Sequence, residues 1–196
     1  MNTPVILASS SIYRRELLKK IIPDFSIHSP NIDESPKPSE LPRQLAERLA
    51  IQKAKKVAES YPSHLIIGSD QVADLDGHIM GKPGTHENAV TQLQRSSGAV
   101  LTLYTGVALI NSATHRIQSA VDCYEVEFRE LNDVQIEKYL MAEKPYDCCG
   151  SLKAEGSGIA LLSRLSGDDP NTLIGLPLIQ LTSMLIEEGL NPIDLC

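Results

Sequence analysis

Two sets of side chains carry the chemistry of this sequence. One is basic (Arg14, Arg15, Lys53, Lys82, Lys153) and the other acidic (Asp33, Glu34, Asp70). Cleaving a phosphoanhydride requires in-line attack by water, a base or a metal ion to activate that water, and positive charge on the departing phosphates. Carboxylates together with water and substrate phosphates form the usual environment of Mg²⁺. Both sets are thus what a nucleotide or phosphate enzyme would use, although spacing alone does not bring them together.

The elements that must position them follow from local pattern. Val5, Ile6, Leu7 and Ala8 form a short apolar run that reads as a buried strand, and the serines after it are good turn and N-cap residues. The helix that follows carries Arg14 and Arg15 in its first turn, against the partial positive charge of its own N-terminus. An anion there would resolve the conflict, with serine hydroxyls, free backbone N–H groups and guanidinium forks as a phosphate cradle. Solvated arginines on an ordinary strand-to-helix turn are the competing reading.

Residues 29–41 are rich in proline and read as a long loop containing Asp33 and Glu34. Ser39 is expected to cap the next helix, with Pro42 in its first turn and an end near Glu59. The inner face of that helix is Ala46, Leu49, Ala50, Ala54 and Val57, and Lys53 falls within the same stripe. The lysine either snorkels at the stripe's margin or reaches an anion.

Leu65 to Gly68 reads as a buried strand running into Ser69, Asp70 and Gln71, where α/β folds place their ligands. Asp76-Gly77 marks a hairpin, residues 81–84 a tight loop presenting Lys82, and Thr85 the cap of a helix ending near Ser96. Residues 100–110 and 116–128 read as strands, with Thr105-Gly106 a place for a bulge or a close ligand approach. Asn132 and Gln135 make a capping box for a helix to about Ala142. A strand near 159–162, a polar loop over 167–172 and a helix from about Pro177 to Glu188 complete the pattern. Alternating strands and helices with two hairpin-like connections define an α/β protein with a mixed sheet.

The 196 residues, 42% hydrophobic, suffice for one core, so a single domain over 1–196 is expected. The net charge of -7, with no Trp and two Phe, argues against a nucleic-acid polymer as partner. No apolar run approaches the roughly 18 residues that cross a bilayer, and no secretory signal is visible, so a cytoplasmic protein without a membrane partner is expected. Cys123, Cys148, Cys149 and Cys196 show no disulfide or zinc spacing and are expected to be buried thiols.

The order of motifs adds a resemblance. Residues 7–18, Asp33-Glu34, Gln52-Lys53-Ala54, residues 68–71, Gly81-Lys82-Pro83, Tyr104-Thr105-Gly106, residues 150–156 and residues 169–177 together resemble the Maf family of nucleoside triphosphate pyrophosphatases. The likeness is collinear over essentially the whole chain. It implies an inosine-triphosphatase-like α/β fold, with an elongated mixed sheet, flanking helices and a cleft between two lobes. It also implies a divalent cation (Mg or Mn) and cleavage of a nucleoside triphosphate to the monophosphate and pyrophosphate. By position, Asp70 would be the general base. Ser9, Arg14, Arg15, Lys53 and Lys82 would hold phosphates, and Glu34 and Asp70 would hold the metal.

Within that family, positions equivalent to Tyr13, Gln71 and Glu155 separate pyrimidine-triphosphate enzymes (arginine, threonine, glutamine) from a 7-methyl-GTP subgroup, which this chain resembles. A carboxylate can accept the two N–H donors on guanine's Watson-Crick edge, and a cationic methylated base favours an aromatic face and a nearby negative charge. Ile12 stands where the motif usually has proline, Tyr13 where the subgroup more often has tryptophan, and Leu152 where it has phenylalanine. Pyrimidine triphosphates and a nucleotide-binding role in restraining septum formation are the alternatives carried by the same likeness. A homodimer is common in similar proteins.

Overall fold

The computed structural model describes residues 3–195. Its strands are β1 (Val5–Ala8), β2 (Ser26–Ile27), β3 (Leu65–Leu75), β4 (His78–Met80), β5 (Val100–Asn111), β6 (Arg116–Phe128) and β7 (Leu162–Gly167). The helices are α1 (Ile12–Leu18), α2 (Pro42–Ala58), α3 (His86–Ser96), α4 (Asp133–Glu143), α5 (Pro170–Ile174) and α6 (Leu178–Glu187). The strands hydrogen-bond in the order β2-β1-β3-β5-β6-β7, with β4 on β3. The β1–β2 and β1–β3 pairs are parallel, and β3–β4 and β6–β7 are antiparallel, so the sheet is mixed as expected.

The chain forms two compact units. The first comprises residues up to Asp70, residues 105–122 and residues from Asp169 onward; the second comprises residues 71–104 and 123–168. In the first, β1 and the start of β3 (residues 65–68) are buried on both faces, which explains their apolar runs. Val5, Leu7, Leu65 and Ile67 point to one side, where they pack with Leu17, Leu18, Leu181 and Leu185 of α1 and α6. Ile6, Ala8 and Ile66 point to the other, against Ala50, Ala54 and Val57 of α2.

Two glycines let α2 lie directly on the sheet. A Cβ at Gly68 would stand 2.1 Å from the Ala50 carbonyl oxygen, and one at Gly106 would stand 2.3 Å from the Ala46 carbonyl oxygen. The Thr105-Gly106 signal therefore reports a close helix rather than a close ligand.

In the second unit, Ala89 and Leu93 of α3, Ile136 and Leu140 of α4, and Leu101, Leu103, Val126 and Phe128 of the strands are all buried. Thr85 caps α3 by accepting from the Asn88 N–H, and Asn132 with Gln135 forms the expected capping box on α4. The two-residue Asp76-Gly77 turn joins β3 to β4.

Several local expectations are corrected. Leu41, not Ser39, is the N-cap of α2; Pro42 at the first helical position fixes the entry, and the Gln44 side chain accepts from the Leu41 N–H at 3.1 Å. Residues 157–161 form a 3₁₀ turn, and the strand expected near 159–162 runs instead from Leu162 to Gly167. The polar segment 167–172 contains the start of α5, capped by Asp169, whose side chain accepts from the Asn171 N–H. The two-residue β2 is too short to leave a pattern. Cys123, Cys148 and Cys149 are partly rather than fully buried, and Cys196 lies outside the described residues. Among the described residues, no helix is long and apolar enough to cross a membrane.

Candidate functional site

Strand geometry dictates the centre of the site. Alternation along β3 puts Ile66, Gly68 and Asp70 on the α2 face and Ile67, Ser69 and Gln71 on the other. Because Gly68 brings α2 onto the strand, Lys53 meets Asp70 one residue pair further along. Lys53 Nζ donates to Asp70 Oδ1 at 2.6 Å, and the two residues are only 7% and 8% exposed. The same ammonium lies 2.9 Å from Glu34 Oε1 on the long loop. Snorkelling is thereby excluded for Lys53: its charge is turned inward and paired.

The loop carrying Asp33 and Glu34 is tied to α2 by Arg48, which no motif or hydrophobic period singles out. Arg48 forks onto Glu40 with Nε–Oε1 and Nη2–Oε2 distances of 2.6 and 2.7 Å, and donates to the Ser35 carbonyl at 3.0 Å. This bidentate bond holds the Glu40 carboxyl at about 2, far below its ordinary 4.5. Asp33 is likewise held below its usual range, chiefly by the Ser35 N–H that it accepts. An i, i+8 pair joining a proline-rich loop to a helix has no periodic signature.

The β1–β3 register, Ala8 beside Gly68, brings Ser9, just past the end of β1, alongside Ser69 and Asp70 in the middle of β3. Ser9 is buried and its Oγ accepts from the Ser11 N–H at 3.1 Å, while Ser11 caps α1. Arg14 Nε donates to the Gly175 carbonyl at 2.8 Å, and Ser69 Oγ lies 3.0 Å from that oxygen and 2.8 Å from the Gly106 carbonyl. One of Arg14's five donors thus fixes the guanidinium to the segment after α5. Asp169, buried, organises that segment: it accepts from the N–H groups of Asn171 and Ile179, each at 2.8 Å. Thr172 bonds Asp122 through its hydroxyl and takes the Thr105 hydroxyl on its carbonyl. Neither the polar loop over 167–172 nor the motif at 169–177 assigns Asp169 this role; the Asp-Pro dipeptide before a helical turn is its signal in the sequence.

Ser9, Arg14, Lys53, Asp70 and Glu34 therefore all lie in the first unit, where Lys53 joins Asp70 and Glu34 directly. Arg15 does not join them, since its Nε pairs with Glu16 at 3.0 Å on the surface. Tyr13 is partly exposed on α1.

The remaining residues lie in the second unit. Lys82 is exposed on the 81–84 loop, which is held by the Gly84 N–H donating to the Tyr146 carbonyl at 3.0 Å. Lys153 pairs with Glu143 at 3.0 Å, which raises the lysine's pKa. With the bonds from Ser157, the same pair holds Glu143 at about 2. Glu155 is exposed, and Gln71 is partly buried directly after Asp70.

Among the described residues, no three His, Cys, Asp or Glu side chains form a metal cage. Glu34 and Asp70, each within 3 Å of one Lys53 nitrogen, are instead a two-carboxylate set. That donor set suits Mg²⁺, which keeps several waters and takes substrate phosphate oxygens for the rest of its shell.

Fold and site together define an α/β protein in which Lys53 is paired with Asp70 of β3 and Glu34, beside the strand end that carries Ser9. Residues 4–188 match the family described as Maf-like protein, and the chain belongs to that family. A protein of Methylobacillus flagellatus named 7-methyl-GTP pyrophosphatase is 54% identical over 190 residues, which is 97% of this chain and 99% of that one. Among solved structures, a Staphylococcus aureus Ham1 protein has a TM-score of 0.47 at 14% identity, covering 65% of this chain and 72% of its own. A HAM1 protein of Coxiella burnetii gives 0.46 at 14% identity, covering 65% and 73%.

Proposed function

We propose that this chain is a pyrophosphatase that hydrolyses 7-methyl-GTP to 7-methyl-GMP and pyrophosphate in the cytoplasm, clearing a modified nucleotide from the pool. The observation that carries the reading is the sealed Lys53–Asp70 contact with Glu34 beside it, in a chain 54% identical to a protein of that name.

Asp70 is the general base in this reading: it takes a proton from the water that attacks the α-phosphorus, as the bond to the bridging oxygen breaks and pyrophosphate leaves. Lys53, Arg14, Lys82 and the Ser9 hydroxyl hold phosphate oxygens, and Lys53 exchanges its carboxylate partners for phosphate when substrate arrives. Glu34 and Asp70 would hold Mg²⁺ or Mn²⁺, which supplies charge neutralisation on the phosphates and a more acidic water. Tyr13, Gln71 and Glu155 read the base, with the Glu155 carboxylate accepting from the two guanine N–H groups and favouring the cationic ring.

The test is pyrophosphate release from a panel of nucleoside triphosphates with Mg²⁺ or Mn²⁺. The expected result is a clear preference for 7-methyl-GTP, lost in Glu155→Gln. Equal turnover of UTP, dTTP and 7-methyl-GTP would defeat the specificity while leaving the reaction class standing.

A further inference from the structure

We infer that Gln92 is a positioning residue that sets the spacing between the lysine that meets phosphate and the carboxylate that meets the base. The inference rests on the roles proposed above for Lys82 and Glu155, and adds a residue that touches neither substrate part.

Gln92 sits within α3, partly buried, and its amide spans two loops. Its Nε2 donates to the Gly81 carbonyl at 3.0 Å, immediately before Lys82. Its Oε1 accepts from Ser151 Oγ at 2.6 Å, in the segment that leads to Lys153 and Glu155. The amide's orientation is dictated by these partners, because the Gly81 oxygen can only accept. The Gly81 carbonyl also takes the Gly150 N–H at 3.3 Å, so the two loops are joined directly and through the glutamine.

Ser151 is the pivot. It is fully buried with φ of 58°, a left-handed conformation that L-residues with side chains rarely adopt. Its three polar groups are all held: the N–H by the Cys148 carbonyl, the hydroxyl by Gln92, and the carbonyl by the Tyr139 hydroxyl at 3.0 Å. Tyr139 in turn accepts from the Lys153 N–H at 2.9 Å, so the strained turn is tied onward to the stretch bearing Glu155. A residue needed only to fill space on α3 would be apolar. A glutamine bonded at both ends fixes a distance instead, which is what a site measuring triphosphate against base requires.

The experiment compares Gln92→Met, which keeps the length and removes both bonds, with Ser151→Ala, which removes only the hydroxyl at the far end. Steady-state kinetics with 7-methyl-GTP and GTP are run for each in the wild-type and Lys82→Ala backgrounds, beside Glu155→Gln. The expected result is a KM for 7-methyl-GTP raised about tenfold with kcat within about twofold, and a several-fold fall in discrimination against GTP. In Lys82→Ala the added effect shrinks to under about twofold, since the distance being set has lost one end.

Unchanged KM in both variants, or an undiminished effect in the Lys82→Ala background, overturns the inference while leaving the proposed function in place. If Lys82→Ala and Glu155→Gln themselves leave KM unchanged, the site reading fails and takes the inference with it.

Discussion

The ammonium of Lys53 stands 2.6 Å from a carboxylate oxygen of Asp70, a cation on a helix set against an anion on a strand, with both side chains almost sealed from water. In so dry a setting each charge is tolerable only because the other is present, and removing one partner costs more than the pair contributes. Lys53→Met is therefore expected to lower stability by about 3 kcal/mol and turnover by about 100-fold. Urea unfolding and pyrophosphate release check both numbers; a stability change under about 1 kcal/mol contradicts the burial argument.

Asp70→Asn keeps the shape and a hydrogen-bond partner for Lys53 but removes the base. Turnover is expected to fall about 1,000-fold while substrate affinity stays within about threefold. A variant that retains turnover would shift the role of Asp70 from proton transfer to mere binding. The same variant in cells separates hydrolysis from a nucleotide-sensing role in septum formation, since sensing alone would survive it.

Chelation should abolish activity, with recovery on adding Mg²⁺ or Mn²⁺. Glu34→Gln, which removes a carboxylate 2.9 Å from Lys53 Nζ, is expected to raise the metal concentration for half-maximal activity about tenfold. An unchanged metal titration would release Glu34 from that role.

Glu40 gives a signed pH dependence. Its carboxyl is lowered from 4.5 to about 2 by Arg48, so the stability it contributes is complete above pH 4.5 and is lost as pH falls toward 2. Glu40→Gln should cost about 1–2 kcal/mol at neutral pH, after allowing for solvent screening, and flatten the stability curve across that acid window. Equal acid slopes for variant and parent would refute the assignment.

Gly68→Ala places a methyl 2.1 Å from the Ala50 carbonyl and 2.8 Å from the Ala54 nitrogen, both backbone atoms that cannot swing aside. A loss of about 3 kcal/mol is expected, and turnover falls with it because Lys53 is carried by the helix that must back away. Full activity in this variant would mean that α2 does not position the lysine.

Much of this was legible in the chain because it is written in local terms. Buried parallel strands announce themselves as apolar runs, and Thr85 and Asn132 cap their helices through bonds made within three residues. Lys53 stood out because a charge in an apolar stripe breaks a period. The places that differ depend on contacts outside any helical or strand period. Ser39 resembles a cap by type, yet Pro42 fixes the helix start at Leu41, and Arg48 engages Glu40 between them. The 3₁₀ turn over 157–161 displaced the expected strand by several residues, because Gly158 lies against the Lys153 carbonyl, a contact absent from any pattern of alternation. That Lys53 meets Asp70 and Glu34 in particular depends on helix-to-sheet packing, which no spacing rule contains.

The paired seats at Gly68 and Gly106 have a consequence for how this scaffold tolerates change. With main chain resting on main chain at two points, α2 is keyed like a shaft in a slot and has no soft side-chain layer on which to rotate. An inserted or deleted residue between Ala46 and Lys53 would turn the helix's far half by about 100°, swinging the ammonium out of register with β3. Length variation among descendants of this sequence should therefore collect in loops such as residues 29–41 and spare those roughly two turns of helix.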